Sequence, residues 1–388
     1  MRIIVAPDSF KGSLSSVDAS LSIKKGILRI FPHADVITVP VADGGEGTVY
    51  AITSMNNGEI MHTIVEGPLN TQVDAIWGLI QTPKGPTAII EMAEASGLLL
   101  VPAEERNEQN IRHSSTYGTG QLIRAALDHG VKNIIIGIGG SATNDGGAGM
   151  AQALGAKFLN VDNTALPRGG AALINLDHIN ISELDPRLKD TNILIASDVN
   201  NPLCGVQGAS AIYGPQKGAT PEIIQELDRA LFHYSTIAKQ DLGLDISHIA
   251  GGGAAGGLGA GLILFTNAKM RNGIQVILES IEFTKILRNA DLVITGEGHT
   301  DDQTLNGKAP IGIAKIAKQL QIPVLCLSGA LGENANAVIN AGIDAIASTP
   351  CSPITLTECL RNADKLLADA AERCCQLIKL GTTLKNIQ

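Results

Sequence analysis

Acidic residues and glycines gather at a few points of this 388-residue chain, each just past an apolar run. Asp8-Ser9-Phe10-Lys11 follows IIVAP, Asp43-Gly44-Gly45-Glu46-Gly47 follows VITVPVA, and Gly296-Glu297-Gly298 follows DLVIT. Ser328-Gly329 closes PVLCL in the same way. The middle of the chain adds Thr116–Gly120, the stretch GIGGSATNDGGAG (137–149), Asp198 with two asparagines behind it, and Gly214-Pro215-Gln216-Lys217-Gly218. The acids Asp8, Asp43, Glu46, Asp145, Asp198, Glu297 and Asp301 face few cations, of which Lys11, Lys217 and Lys308 stand out. Such acids repel a phosphate unless a hard cation such as Mg²⁺ lies between. Glycine loops offering backbone N–H groups, a few lysines and Mg²⁺-holding acids are what phosphoryl transfer needs, because that reaction depends on positioning and charge stabilisation.

Strand ends must position these loops. IIVAP (3–7) reads as a strand, and 15–31 has helical spacing with Ser15 as N-cap and Asp18 three residues on. ADVITVPV (34–41) is a second strand and 44–56 a loop entering a helix, so the chain opens β-α-β-α. Residues 59–95 alternate apolar and polar between turn pairs, the pattern of antiparallel strands. Helix–strand–helix returns over 114–161, 193–199 is a buried strand, and 221–243 and 273–288 are helices. β-α-β-α resumes from 290, and 355–380 is an amphipathic helix. The fold expected is α/β in two domains: a discontinuous doubly wound (flavodoxin-like) domain from 1–60 plus 286–388, and an inserted mixed α/β domain over 61–285. Ligands of such sheets bind outside the carboxyl ends of the strands, where helix N-termini offer free N–H groups.

Composition narrows the class. Hydrophobic residues make up 44% and charged residues 17%, which suits a globular protein and excludes a disordered one. Aromatics are only 3%, so the core must come from Ile, Leu, Val and Ala, as in parallel sheets buried on both faces. The net charge of −9 and the lack of a basic run leave no footprint for nucleic acid. The N-terminus reads as a strand rather than a signal peptide, and the longest apolar window, 250–265, is short and glycine-rich for a membrane span. Six cysteines without C-x-x-C spacing point to reduced thiols and a cytoplasmic setting, and a monomer or homodimer is expected.

Several familiar motifs are missing. There is no Walker A loop, no H-R-D, no H-E-x-x-H, no paired Cys/His pattern and no G-x-S-x-G. Gly137-x-Gly139-x-x-Ala142, with Asp162 twenty residues on, matches the relaxed dinucleotide fingerprint, so an NAD(P)-dependent oxidoreductase is one alternative. Against it stand the mid-chain position and Asp145, a carboxylate where a pyrophosphate needs a bare helix N-terminus. A non-enzymatic sugar-acid binding protein is another alternative, though it would not need this many acids.

IVAPDSFKGSLS (4–15), PVADGGEGT (40–48), STYGTGQLI (115–123), GIGGSATNDGGAGMAQALGAKF (137–158), ASDVNNPLCG (196–205), YGPQKGA (213–219), GGGAAGGLGA (251–260) and TGEGHTDDQTLNGKAP (295–310) together resemble the type 1 glycerate kinases of bacteria, in order and spacing, over essentially the whole chain. The resemblance implies an active site in the cleft between two domains, ATP and Mg²⁺ as cofactors, and D-glycerate as acceptor with 2-phosphoglycerate as the usual product. It places Lys11 on the glycerate carboxylate or the transferring phosphoryl, and Asp8 or Asp198 as acceptor of the hydroxyl proton. Ser9, Asp43, Glu46 and Thr119 are expected around the acceptor. Gly139, Gly140, Ser141, Asn144, Lys217 and Gly296 are expected around ATP. Asp198, Glu297 and Asp301 are expected at Mg²⁺, with Asp43 and Glu46 as further candidates. One departure is Gln121, where the family usually has Glu.

Overall fold

The computed structural model describes residues 1–42 and 44–383, except the side chains of Gln303 and Asn306; Asp43, expected near the acceptor, lies outside the described residues. The strands run β1 (Arg2–Pro7), β2 (Asp35–Thr38), β3 (Glu59–Glu66), β4 (Gln72–Thr82), β5 (Gly85–Glu91), β6 (Asn133–Gly137) and β7 (Lys157–Leu159). They continue as β8 (His178–Asn180), β9 (Asn192–Ala196), β10 (Lys269–Arg271), β11 (Leu292–Thr300), β12 (Val324–Leu331) and β13 (Ala345–Ser348). The chain divides into two compact units, Met1–Asp43 with Ile274–Gln388, and Gly44–Gly273.

Unit one is a five-stranded parallel sheet in the order β13-β12-β11-β1-β2. Numbered within the unit, that is 2-1-3-4-5, the flavodoxin-like order expected from the sequence. Both faces are covered. Ile3 and Val5 share a cluster with Ile23 and Ile27 of the helix Ser16–Ile30 and with Leu367 and Ala371 of the helix Ala363–Thr383. Ile4, on the other face by strand alternation, is equally buried. Burying each such side chain stabilises the unit by about 1.5–3 kcal/mol. The first helix starts where its sequence predicts: Asp18 N–H donates to Ser15 Oγ at 3.1 Å. Gly26 lets the two helices meet, since a Cβ there would lie 2.1 Å from the Ala368 carbonyl oxygen. The C-terminal amphipathic segment is not one helix but two, Leu356–Arg361 and Ala363–Thr383, the first opened by a Thr355–Glu358 capping box.

Unit two holds a six-stranded sheet in the order β10-β9-β6-β5-β4-β3. β10, β9, β6 and β5 are parallel, and β4 and β3 add the antiparallel strands that the 59–95 alternation predicts. Trp77 is fully buried on β4 beside Ile90, Ile134 and Ile136, its Nε1 donating to Thr63 Oγ1 at 3.0 Å. The division falls earlier than the expected residue 60. The helix Thr48–Met55 packs on β4 and β5, and Gly78 makes room for it: a Cβ there would lie 1.9 Å from Thr53 Oγ1. It also resumes earlier than 286, because Ile274 packs under Gly312 of the helix Ala309–Gln319 in unit one. No helix among the described residues is long and apolar enough to cross a membrane.

Candidate active site

In unit one the strand order reverses direction between β1 and β11, and ligands of open α/β sheets bind at the carboxyl ends beside such a switch point. Asp8 follows β1 there, with its N–H on the Gly296 carbonyl at 2.8 Å and its Oδ1 accepting from Ser9 N–H at 2.7 Å. Glu297 stands opposite on β11 and is 5% exposed. Its Oε1 accepts from Thr300 Oγ1 at 2.9 Å and Thr304 Oγ1 at 2.8 Å, which fixes the carboxylate and leaves Oε2 toward Lys308 Nζ at 3.6 Å. Burial raises the Glu297 pKa above the usual carboxylate range, opposed by Thr304 and Lys308. Asp301 Oδ1 is 4.0 Å from the same ammonium, and Asp301 Oδ2 is 3.5 Å from His299 Nε2. Asp8, Ser9, Lys11, Glu297 and Lys308 line one cavity of about 570 Å³. Gly296 lies below it for packing: a Cβ would come 2.2 Å from the Leu327 carbonyl oxygen.

Among the described residues no three His, Cys, Asp or Glu side chains gather as a ready-made metal site, and two carboxylates come nearest to one. Glu297 Oε2 and Asp301 Oδ1 are hard donors that share the Lys308 ammonium, which a divalent ion could replace. Asp198, the third expected metal ligand, belongs to unit two.

In unit two the carboxyl ends of β5, β6 and β9 align, Glu91 beside Gly137 and Gly137 beside Ala196. The loop carrying Glu46 crosses them. Gly139 N–H donates to the Gly44 carbonyl at 3.2 Å, and a Cβ on Gly137 would lie 2.4 Å from that oxygen. Glu46 is exposed, Gly139 half-buried and Gly140 exposed. Asp198 follows β9, its Oδ1 accepting from Asn272 Nδ2 at 2.6 Å and from Gly273 N–H at 2.7 Å.

The loop 137–149 is held mainly by its own buried polar groups. Asp145 is fully buried and accepts from the N–H groups of Thr116 at 2.8 Å and of Gly147 and Gly149 at 3.1 Å, as well as from Thr116 Oγ1. It thereby caps the helix Ala148–Ala153 and ties it to the start of the helix Tyr117–Asp128. Burial raises its pKa, those donors opposing. Lys217 is 3% exposed and donates to Ser141 Oγ at 2.7 Å and the Thr143 carbonyl at 2.6 Å. Burial lowers its pKa to about 7. Asn144 is fully buried with Nδ2 on Ser210 Oγ at 2.9 Å, and Thr119 is fully buried against Ser96 Oγ at 2.8 Å. Lys217 and Thr119, expected at ligands, thus spend their polar groups on the fold of unit two, as does Nδ2 of Asn144, whose buried Oδ1 has no partner among the described residues. Gln121 does likewise, its Oε1 accepting from Glu66 N–H at 2.7 Å.

The dinucleotide reading fails on topology. After β6 and its helix, β7 leaves the sheet and pairs antiparallel with β8, so Asp162 does not follow a parallel neighbour of β6. The helix N-terminus is also already occupied by Asp145.

Glu91 is a residue that the sequence reading missed. It is 3% exposed, and Oε1 accepts from Val49 N–H at 2.6 Å and Oε2 from Gly47 N–H at 3.2 Å, at the start of the helix Thr48–Met55. Burial pushes its pKa up to about 8. An acid closing the run TAIIE was the available signal.

A model of the glycerate kinase family matches residues 3–379. Glycerate kinase of Halalkalibacterium halodurans is 49% identical, over 95% of this chain and 96% of that one. Glycerate 2-kinase of Escherichia coli K12 is 47% identical, over 98% and 99%. A crystal structure of a Salmonella typhimurium LT2 protein, provisionally named glycerate kinase 2, superposes with a TM-score of 0.85 at 46% identity, over 99% of this chain and 100% of that one. On this match along nearly its whole length, the chain belongs to the glycerate kinase family.

Proposed function

We propose that the chain transfers the γ-phosphoryl group of ATP to the 2-hydroxyl of D-glycerate, giving 2-phosphoglycerate and ADP. The observation that carries this is the cavity at the switch point of unit one, where Lys11 and Lys308 share a wall with Asp8 and Glu297. Membership of the family supplies the acceptor, and the E. coli relative named glycerate 2-kinase favours the 2-hydroxyl.

Asp8 accepts the proton of the attacking hydroxyl, its position fixed by the Ser9 and Gly296 backbone. Lys11, exposed on the rim, stabilises the negative charge of the transferring phosphoryl or of the glycerate carboxylate. Glu297 and Asp301 would hold Mg²⁺, whose charge offsets that of the phosphate oxygens. The two threonine hydroxyls hold Oε1 of Glu297 and leave Oε2 to the Lys308 ammonium. Ser9, whose N–H binds Asp8, remains a candidate for the acceptor side. A cytoplasmic setting accords with ATP use and with six free cysteines.

The test is ADP release with ATP, Mg²⁺ and D-glycerate. Wild type should turn over, and Lys11→Ala should lose about 10²–10³ in kcat/KM. A Lys11→Ala rate within about threefold of wild type would remove this rim from the reaction.

A further inference from the structure

The cavity of unit one has a second half that the transfer chemistry leaves unused. Besides Lys11 and Lys308 its lining includes an apolar set, Phe10, Pro350, Ile354, Leu356 and Leu360. Leu356 is 74% exposed and Leu360 40%. The segment is nonetheless built: Arg373 Nη2 donates to the Thr349 carbonyl at 3.0 Å, and the Thr355–Glu358 capping box opens the helix that carries Leu360.

The floor is bare backbone. Gly298 of β11 and Gly329 of β12 both line the cavity, and a Cβ on Gly329 would lie 2.5 Å from the Gly298 carbonyl oxygen. Gly298 differs: a Cβ there would meet nothing nearer than 3.5 Å, and its strand conformation suits any residue. The protein alone does not require glycine at 298, so the space above it is free for a ligand. The cavity lining thus combines two lysines and two carboxylates with an apolar wall, and the bare backbone of Gly298 lies beside Lys11 and Phe10. Its volume of about 570 Å³ lies inside the range of roughly 300–1,000 Å³ usual for small-molecule sites. A ligand that is polyanionic at one end and a flat apolar ring at the other has the chemistry of a nucleoside triphosphate. The loop 139–147 in unit two lacks that pairing, because its cation, Lys217, is buried on Ser141 and Thr143.

We propose that the cavity of unit one is the nucleotide seat, with the base on the wall Pro350–Leu360 and the triphosphate reaching Lys11 and Lys308 past Gly298. This rests on the kinase reading and extends it to where ATP binds.

Calorimetric titration of ATP and of inorganic tripolyphosphate, each with Mg²⁺, separates the two ends. Leu360→Ser should weaken ATP about tenfold and leave tripolyphosphate unchanged. Ile354→Ser should act the same way and serves if the first variant folds poorly. Gly298→Ala should keep the wild-type melting temperature yet weaken ATP. An unchanged ATP Kd in both wall variants overturns the proposal, and so does equal weakening of ATP and tripolyphosphate. Neither outcome touches the kinase reading, which fails only if wild type releases no ADP in a glycerate-dependent manner.

Discussion

Replacing Asp145 decides what the loop 137–149 is for. The carboxylate is fully buried and serves three backbone N–H groups, those of Thr116, Gly147 and Gly149, besides the Thr116 hydroxyl. A buried donor left without an acceptor costs about 1–3 kcal/mol. Asp145→Ala strands all three N–H groups, and the hydroxyl can turn elsewhere, so destabilisation should reach roughly 3–9 kcal/mol. That is a large share of the roughly 5–15 kcal/mol that holds a domain together. Asp145→Asn keeps one oxygen. Its amide does least harm facing Gly147, where it strands one N–H, for about 1–3 kcal/mol. Urea denaturation of wild type and both variants should show midpoints falling in that order. At a temperature where Asp145→Asn stays folded, its kcat should lie within about threefold of wild type. A wild-type midpoint combined with a hundredfold loss of kcat would refute the reasoning and place Asp145 in the chemistry.

Three further outcomes follow from the same geometry. Glu91, raised by burial to about 8, favours folding while protonated; that contribution is complete below about 4.5 and is lost as pH rises through 8. The wild-type Tm should therefore fall more steeply than that of Glu91→Gln between those values, and parallel curves would contradict it. Gly26→Ala should lower Tm by the equivalent of roughly 1–3 kcal/mol despite the better helix propensity of Ala, because its Cβ meets the backbone of Ala368; an unchanged Tm would mean that the helices part freely. Gln121→Glu keeps the acceptor for Glu66 N–H, so kcat/KM should stay within about threefold, whereas a tenfold gain would show that the charge itself matters.

The sequence carried the local signals well and the burial of polar groups badly. The Ser15–Asp18 cap, the apolar strand runs and the alternation of 59–95 each act over a few residues, and each appears where expected. The chain-wide motif pattern also pointed to the right family. The pairing of β1 with β11 joins residues some 289 apart, as Ile3 with Leu292, and only the β-α-β-α pattern at both ends of the chain hinted at it. Asp145, Asn144 and Lys217 look like solvent-facing loop residues when read one at a time. They are buried because each finds partners from distant segments, Thr116, Ser210 and Ser141 among them. A single sequence does not display such compensation. The boundary at Asp43 was hidden for a similar reason: Gly78, far along the chain, is what lets the helix Thr48–Met55 sit on the sheet of unit two.

The most direct test of the central claim is a ³¹P NMR time course with ATP, Mg²⁺ and D-glycerate, followed by addition of enolase. A 2-phosphoglycerate resonance should grow with ADP and be consumed by enolase without any mutase. A 3-phosphoglycerate resonance would contradict the proposed hydroxyl, and ATP left intact in the presence of D-glycerate would contradict the proposed function.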